Sequence, residues 1–399
     1  MGNAEKIRIP QFMSPAHRFG FSLIAILFSA CTQMPAQPDA PEQKDLDWVM
    51  NGAGLTVKTS NTLQTENLLT LMNVTPEMER FANEAVGREA DPERRIHKLV
   101  AAMNGDEGLH LQYDAQATLT AEQAFQQRRV NCLSYAILFA ALAREVGIRA
   151  QFNEVDIPPI WDIGDDQTVL LYKHVNIRVD YMFPLYQVVD VSGDDYDPSY
   201  AQRIIPDSAA LAEYFNNRSV EMRMQQRYAD ALAYELQAVQ MAPQIDYLWA
   251  NLADLLSTEG SPKGARIAAK EAMHLNPDSM MDYNIAALVY QRQGDTQAAT
   301  QYTERAHQFL EQSPYYHYQV ALKALRSHDN KKANDEIERA IDLQPHEHRF
   351  YFLAAVIEEQ LGNLQAANSD MQKALKLTRS VSQQQRYQNK FAQLAGAHG

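Results

Sequence analysis

The sequence predicts an α+β domain followed by an all-α solenoid of paired helices. Three observations carry this. Residues 136–143 are apolar or small without a break, and a helix apolar on nearly every face must be central and buried. The stretches "IRAQFNEVDI", "HVNIRVDYM" and "LYQVVDVSG" follow it and alternate with the period of a strand. From about Asp207 onward, small residues recur every 34 positions without slipping, the signature of stacked helical units.

The chain has 399 residues, enough for two domains that each bury their own core. Hydrophobic residues make up 46% and charged residues 22%, a globular balance. The net charge is −14. An acidic surface excludes a nucleic-acid binder, whose affinity rests on cationic contacts to phosphate, and is repelled by anionic lipid headgroups. Lys6, Arg8 and Arg18 lead into "FGFSLIAILFSAC", an apolar stretch too short to span a bilayer and shaped as a secretory signal. Its start is either Met1 or Met13. Lys6 stands where a myristoylation site needs Ser or Thr. Residues 31–46 are rich in Pro and Gln and read as a tether.

Helix starts follow. Thr75-Pro76 and Asp91-Pro92 each set a capping residue before a proline at the first helical position. Thr120 and Gln123 form a capping box. Asn131 is a good N-cap, so Cys132 falls in the first turn of the buried helix, where the helix dipole favours a negative sulfur. Gly147 is its stop. In the next strands Val175, Ile177 and Val179 share one face, and His174, Asn176 and Arg178 the other. Asp190 follows His174 by sixteen residues, a spacing that two adjacent antiparallel strands bring side by side. A thiol nucleophile needs a base within reach and a group to orient that base, and these residues supply that set. Taken singly, each has a bland reading: Cys132 as core filler, His174 as a satisfied polar residue, Asp190 as a turn residue.

In the second half the columns are Ala231, Ala265, Ala299, Ala333 and Ala367; Ala238, Ala272, Ala306, Ala340 and Ala374; and Ser219, Ala253, Ala287, Ala321 and Ala355. Small side chains there let neighbouring helices approach closely, and no unit buries its apolar face alone. Pro243, Pro277 and Pro345 close three units, whereas the third carries Glu311 at that point and Pro314 comes late. This pattern resembles the tetratricopeptide repeat, with five units over 208–378 and a capping helix over 379–399. The resemblance puts positions 2, 5, 9 and 12 of each unit in a concave groove. Tyr247, Tyr315, Tyr318 and Phe352 are therefore expected either to anchor a protein or peptide partner or to pack between repeats.

"NCLSYAILFAALAREVGIRAQF", "KHVNIRV" and "YQVVDV" together resemble the transglutaminase-like, papain-like superfamily, over about 75–207 within a domain spanning 47–207. Family order is kept: Cys132, then His174, then Asp190. The resemblance implies that Cys132 is the nucleophile, His174 the base and then the acid, and Asp190 its orienting group, in acyl transfer from an amide ending in hydrolysis or transamidation. Asn131 stands where many members have Gly, and Asn176 where many have an aromatic residue. Gln126 is a candidate second oxyanion donor, or a surface glutamine. The domain is otherwise a vestigial scaffold, with the repeats acting as an envelope adaptor; peptidoglycan amides are a substrate variant of the enzyme reading.

"LFSAC" resembles a bacterial lipobox, with Phe28 where Leu is preferred. That implies removal of 1–30, lipid on Cys31 and a cell-envelope location. Thr32, in place of Asp, directs the protein to the outer membrane facing the periplasm. The alternative is an ordinary cleaved signal. With Cys31 lipidated, Cys132 is the remaining thiol and no internal disulfide forms. No cofactor motif is present. His346-Glu-His348 lacks zinc spacing and reads as surface. Asp194, Asp195 and Asp197 lack the glycine and glutamate of a calcium loop, and there is no glycine-rich phosphate loop.

Overall fold

Asn131 caps the helix around which the first domain is built: its side-chain oxygen accepts from the Ser134 N–H at 2.8 Å, satisfying one of the orphan donors of a helix start. The computed structural model describes residues 39–56, 68–155, 174–182, 185–191, 200–378 and 381–397. The signal over 1–30, Cys31 and the acidic loop with Asp194, Asp195 and Asp197 lie outside the described residues. In order, the first part contains α1 (Gln43–Met50), α2 (Leu68–Leu71), α3 (Pro76–Val86), α4 (Pro92–Asn104), β1 (Gln112–Tyr113), α5 (Ala121–Gln127), β2 (Arg129–Val130), α6 (Cys132–Glu145), β3 (Ala150–Val155), β4 (His174–Met182), β5 (Leu185–Val189) and β6 (Gln202–Ile204).

The expected caps are formed. Thr75 accepts from the Met78 N–H at 3.3 Å and Asp91 from the Arg94 N–H at 2.9 Å. Thr120 and Gln123 close a reciprocal box at 3.1 and 3.2 Å. Gly147 ends α6 at φ +74°, a left-handed conformation that favours glycine. Every residue of α6 from Leu133 to Ala143 is buried, and each large apolar side chain among them contributes on the order of 1.5–3 kcal/mol. Ser134 shows why this helix cannot rotate: its hydroxyl donates to the Ala117 carbonyl at 2.7 Å and accepts from the Leu119 N–H at 2.8 Å. The α6 helix packs on β3 and β4, in a sheet ordered β5-β4-β3-β6 with antiparallel neighbours throughout. The three-residue β6 and the two-residue parallel pair β1–β2 are too short for alternation to reveal.

The second part is a succession of helix pairs: α7 (Asp207–Met224) and α8 (Tyr228–Met241), α9 (Asp246–Thr258) and α10 (Pro262–Leu275), α11 (Met280–Arg292) and α12 (Thr296–Glu311), α13 (Pro314–Arg326) and α14 (Asn330–Leu343), α15 (His348–Gln360) and α16 (Leu364–Leu377), then α17 (Val381–Ala397). All residues of the three small-residue columns are buried, so close helix approach is their physical role.

The two parts share a core. One apolar cluster runs from Leu46 through α6 and the sheet into the third repeat at Ala306. The reason is the join. Only Ile205 and Pro206 separate β6 from α7, and the Ile205 N–H donates to the Phe152 carbonyl at 3.0 Å. Arg144 in the last turn of α6 holds Asp207 at the start of α7 through two bonds of 2.5 and 2.9 Å. The core is divided further on, where the fourth repeat with α15, and α15 with α16 and Tyr387, form separate clusters. At the boundary, buried His317 bridges the Glu311 carbonyl at 2.9 Å and the Glu336 carboxylate at 2.6 Å.

The tether over 31–46 is also shorter than expected, because α1 begins at Gln43. Leu46 and Val49 are buried, and α1 packs on α8 and α10 of the first two repeats. Gln240 donates to the Met50 carbonyl at 2.8 Å and Ser261 to the Ala53 carbonyl at 2.9 Å. Gly264 permits this: a Cβ there would lie 2.6 Å from the Ala53 side chain. Two apolar contacts in eight residues are too few to lift the composition above that of a linker. His348, read as a surface residue, is buried and faces the Tyr387 hydroxyl at 2.7 Å, while His346 is exposed.

Candidate active site

The strand register assembles the site. β4 pairs with β3 so that Val155 opposes His174 and Asn153 opposes Asn176. β5 pairs with β4 at Ile177–Val189, so Asp190, the residue after β5, falls opposite Asn176 and diagonal to His174. Residues on one face of neighbouring strands are within side-chain reach. The His174 Nε2 accordingly lies 2.5 Å from the Asp190 Oδ2, and both side chains are 8% exposed. Asn176 Nδ2 donates to the same oxygen at 3.0 Å. Cys132, at the start of α6, lies close enough to the ring to raise its basicity together with Asp190. Thus the structure brings Cys132, His174 and Asp190 together.

Electrostatics follow from that arrangement. Burial alone would lower the basicity of His174, but its hydrogen bond to Asp190, together with the negative charge of Asp190 and the nearness of Cys132, outweighs burial and pushes it up to about 10. At neutral pH the ring is an imidazolium held by a charge-assisted bond. Tyr135, one turn after Cys132, is buried and accepts from Asn104 at 3.0 Å. Desolvation pushes its hydroxyl up to about 12, with Asp190 adding to the effect, so it stands as a neutral wall. Cys132 is a free, partly exposed thiol in the first turn of α6; the N–H of that turn has no acceptor within the helix and can serve a developing oxyanion.

Gln126 does not join this cluster. It is exposed on α5 and its amide donates to Glu122 at 3.1 Å, the surface role open to it from the start. Three of the four aromatic groove candidates pack against a neighbouring helix. Tyr247 is buried. Tyr315 and Tyr318 each lie 5.3 Å from the Phe350 ring of the next unit, and the Tyr315 hydroxyl donates to Glu347 at 2.9 Å. Phe352 stacks on Tyr387 of α17 at 4.2 Å. The reason is geometric: Tyr315 and Tyr318 meet Phe350 of the next unit, and Phe352 meets the capping helix. Among the described residues no cluster of metal-binding side chains occurs. Sequence reasoning missed Asn153 and Gln202, which support Asn176; the signal available was the shared face of His174 and Asn176.

Residues 79–161 match the family model of the transglutaminase-like superfamily, a span that holds Cys132 and stops before His174 and Asp190. Residues 348–380 match the tetratricopeptide repeat. No curated protein matches the chain. Similar solved structures include MamA from Desulfovibrio magneticus RS-1, residues 41 to the end, at 16% identity, covering 42% of this chain and 94% of that one with a TM-score of 0.24. YrrB, a tetratricopeptide-repeat protein with an unusual peptide-binding site, is 13% identical over 45% of this chain and 92% of its own, TM-score 0.23. A thermophilic tetratricopeptide-repeat protein from Thermus thermophilus is 17% identical over 46% and 98%, TM-score 0.25. The chain carries a transglutaminase-like domain and, C-terminal to it, tetratricopeptide repeats.

Proposed function

We propose that the first domain is a thiol acyl-transfer enzyme and that the repeats recruit its protein or peptide substrate. The observation that carries this is the position of His174, bonded through Nε2 to Asp190 and lying near enough to Cys132 for the two to influence each other's charge. The Cys132 thiol passes its proton to His174, the resulting thiolate adds to an amide carbonyl carbon, and the oxyanion is met by the N–H groups at the start of α6. His174 gives its proton to the leaving nitrogen, the C–N bond breaks, and a thioester remains. Water or a second amine then attacks the thioester and yields a proton to His174. The C–S bond breaks, an acid or a new amide leaves, and the Cys132 thiolate is restored beside protonated His174. Asp190 keeps the ring oriented throughout. The recruiting role is supported by the join between the parts, because the fifth repeat reaches the segment that leads into β6: Arg349 lies 5.0 Å from the Tyr200 ring. The lipobox-like "LFSAC" supports lipid on Cys31 and an envelope location; the mass of the N-terminal peptide tests this.

The enzyme reading is tested on the full chain carrying Cys31→Ser, mixed with p-nitrophenyl acetate. Mass spectrometry is expected to find an acetyl group on Cys132 that forms and then disappears. His174→Ala is expected to slow formation at least about tenfold, within the range of general-base effects. Equal labelling with and without His174 would favour a vestigial domain serving as a scaffold.

A further inference from the structure

The His174–Asp190 pair is not the end of the polar chain. Asn176, 1% exposed, donates to Asp190 Oδ2 at 3.0 Å and through its own Oδ1 accepts from Asn153 Nδ2 at 2.8 Å. Asn153, also 1% exposed, donates from the same nitrogen to Gln202 Oε1 at 3.0 Å. Four residues on β4, β3, β6 and the end of β5 thus form one directed line of hydrogen bonds across the sheet. The direction is fixed. Asp190 accepts from Asn176, so Asn176 presents its amide nitrogen there and its oxygen to Asn153. Asn153 then has both N–H groups engaged, one on Asn176 and one on Gln202. No amide in the line can flip without setting donor against donor or acceptor against acceptor, which costs about 1–3 kcal/mol. A buried, fully paired network of this kind is rigid and specifies one geometry.

We propose that Asn176, held by Asn153 and Gln202, is a positioning residue that fixes the Asp190 carboxylate and through it the aim of the His174 ring at Cys132. The proposal rests on the triad reading of the site. It gives the Asn176 amide a role, as a donor to the Asp190 carboxylate. The phenyl ring of a Phe cannot donate a hydrogen bond to Oδ2, whereas the Asn176 amide supplies one and is itself oriented from the far side of the sheet. The line also ends on β6, which leads directly into α7 of the first repeat, so the placement of the triad depends on the strand that joins the two parts.

The test is NMR titration of His174 in the full chain with labelled histidine, its resonance assigned by its loss in His174→Gln, together with the pH profile of Cys132 alkylation. Asn176→Ala is expected to lower the His174 midpoint by about one pH unit or more and to move the alkylation profile with it. Gln202→Ala, on the short outer strand, is expected to move both in the same direction by less, and it decides the matter if Asn176→Ala does not fold. A merely structural role would change the melting temperature and leave the midpoint of the folded protein in place. If Asp190→Asn lowers the midpoint while folded Asn176→Ala and Gln202→Ala titrate as the parent does, the positioning role is overturned and the triad stands. If the parent His174 titrates as an ordinary histidine and ignores Asp190→Asn, the triad reading fails and takes this proposal with it.

Discussion

Arg349 of the fifth repeat lies over the ring of Tyr200, 5.0 Å from its centroid, although 149 positions separate them in the chain. The same guanidinium is 5.3 Å from the Tyr315 ring and is held by Glu347 at 2.8 Å. A cation between two rings, fixed by a carboxylate, is a defined contact, and here it fastens the end of the solenoid to the strand that supports the site. Tyr200→Ala removes the ring from the first domain's side and leaves the Arg349–Glu347 pair intact. A cation–π contact contributes about 0.5–2 kcal/mol. Amide hydrogen exchange in β6 is therefore expected to rise about 2- to 30-fold, while exchange in α9 stays as it was. Unchanged rates in β6 would show that the contact carries no energy.

The N-terminal segment is the second fastening. Gly264 meets the Ala53 side chain at a distance no Cβ tolerates, and Ser261 beside it holds the Ala53 carbonyl. Gly264→Val is expected to cost about 1–3 kcal/mol by overpacking and to expose 43–55 to limited proteolysis. Gly264→Ala is expected to show a smaller effect of the same sign. Urea unfolding and digestion measure both. Full protection of 43–55 in the valine variant would contradict the packing of α1 on the repeats.

The raised basicity of His174 has a consequence for stability. The folded protein holds a proton on the ring up to about pH 10, whereas the unfolded chain releases it near 6.5. Between those values the native state binds more protons, so the stabilisation is complete below pH 6.5 and is lost as pH rises toward 10. Urea unfolding at pH 6, 8 and 10 is expected to show the parent losing its advantage over His174→Gln, at no more than about 1.4 kcal/mol per pH unit. A difference that stays constant across this range would mean that His174 is not held as an imidazolium.

What the sequence revealed, and what it hid, follows from the range of each interaction. The repeats were legible because a 34-residue period is written into Ala231, Ala265 and their successors one unit after another, and each of these side chains is buried. Cys132 was legible because Asn131, a local cap, marks the first turn of an apolar helix. His174 and Asp190 were legible through strand order. Asn153 was not, because its partner depends on a register that sets it opposite Asn176; one residue of slip would turn it to the other face. Gln202 sits on a strand of three residues, below the length at which alternation can be read. The fate of Tyr315 and Tyr318 was decided by Phe350 in the following unit, a contact that no window within one repeat contains. The shared core escaped notice because composition marks a boundary near Asp207, whereas Arg144 and the two-residue join pull the parts together there.

The central claim is that His174 serves Cys132. Its most direct test is the rate of Cys132 alkylation by iodoacetamide between pH 4 and 10, in the full chain carrying Cys31→Ser, with His174→Ala alongside. The predicted result is alkylation of the parent that is faster at low pH than that of His174→Ala, with a profile that changes shape when the imidazole is removed. Superimposable profiles for the two proteins would contradict it.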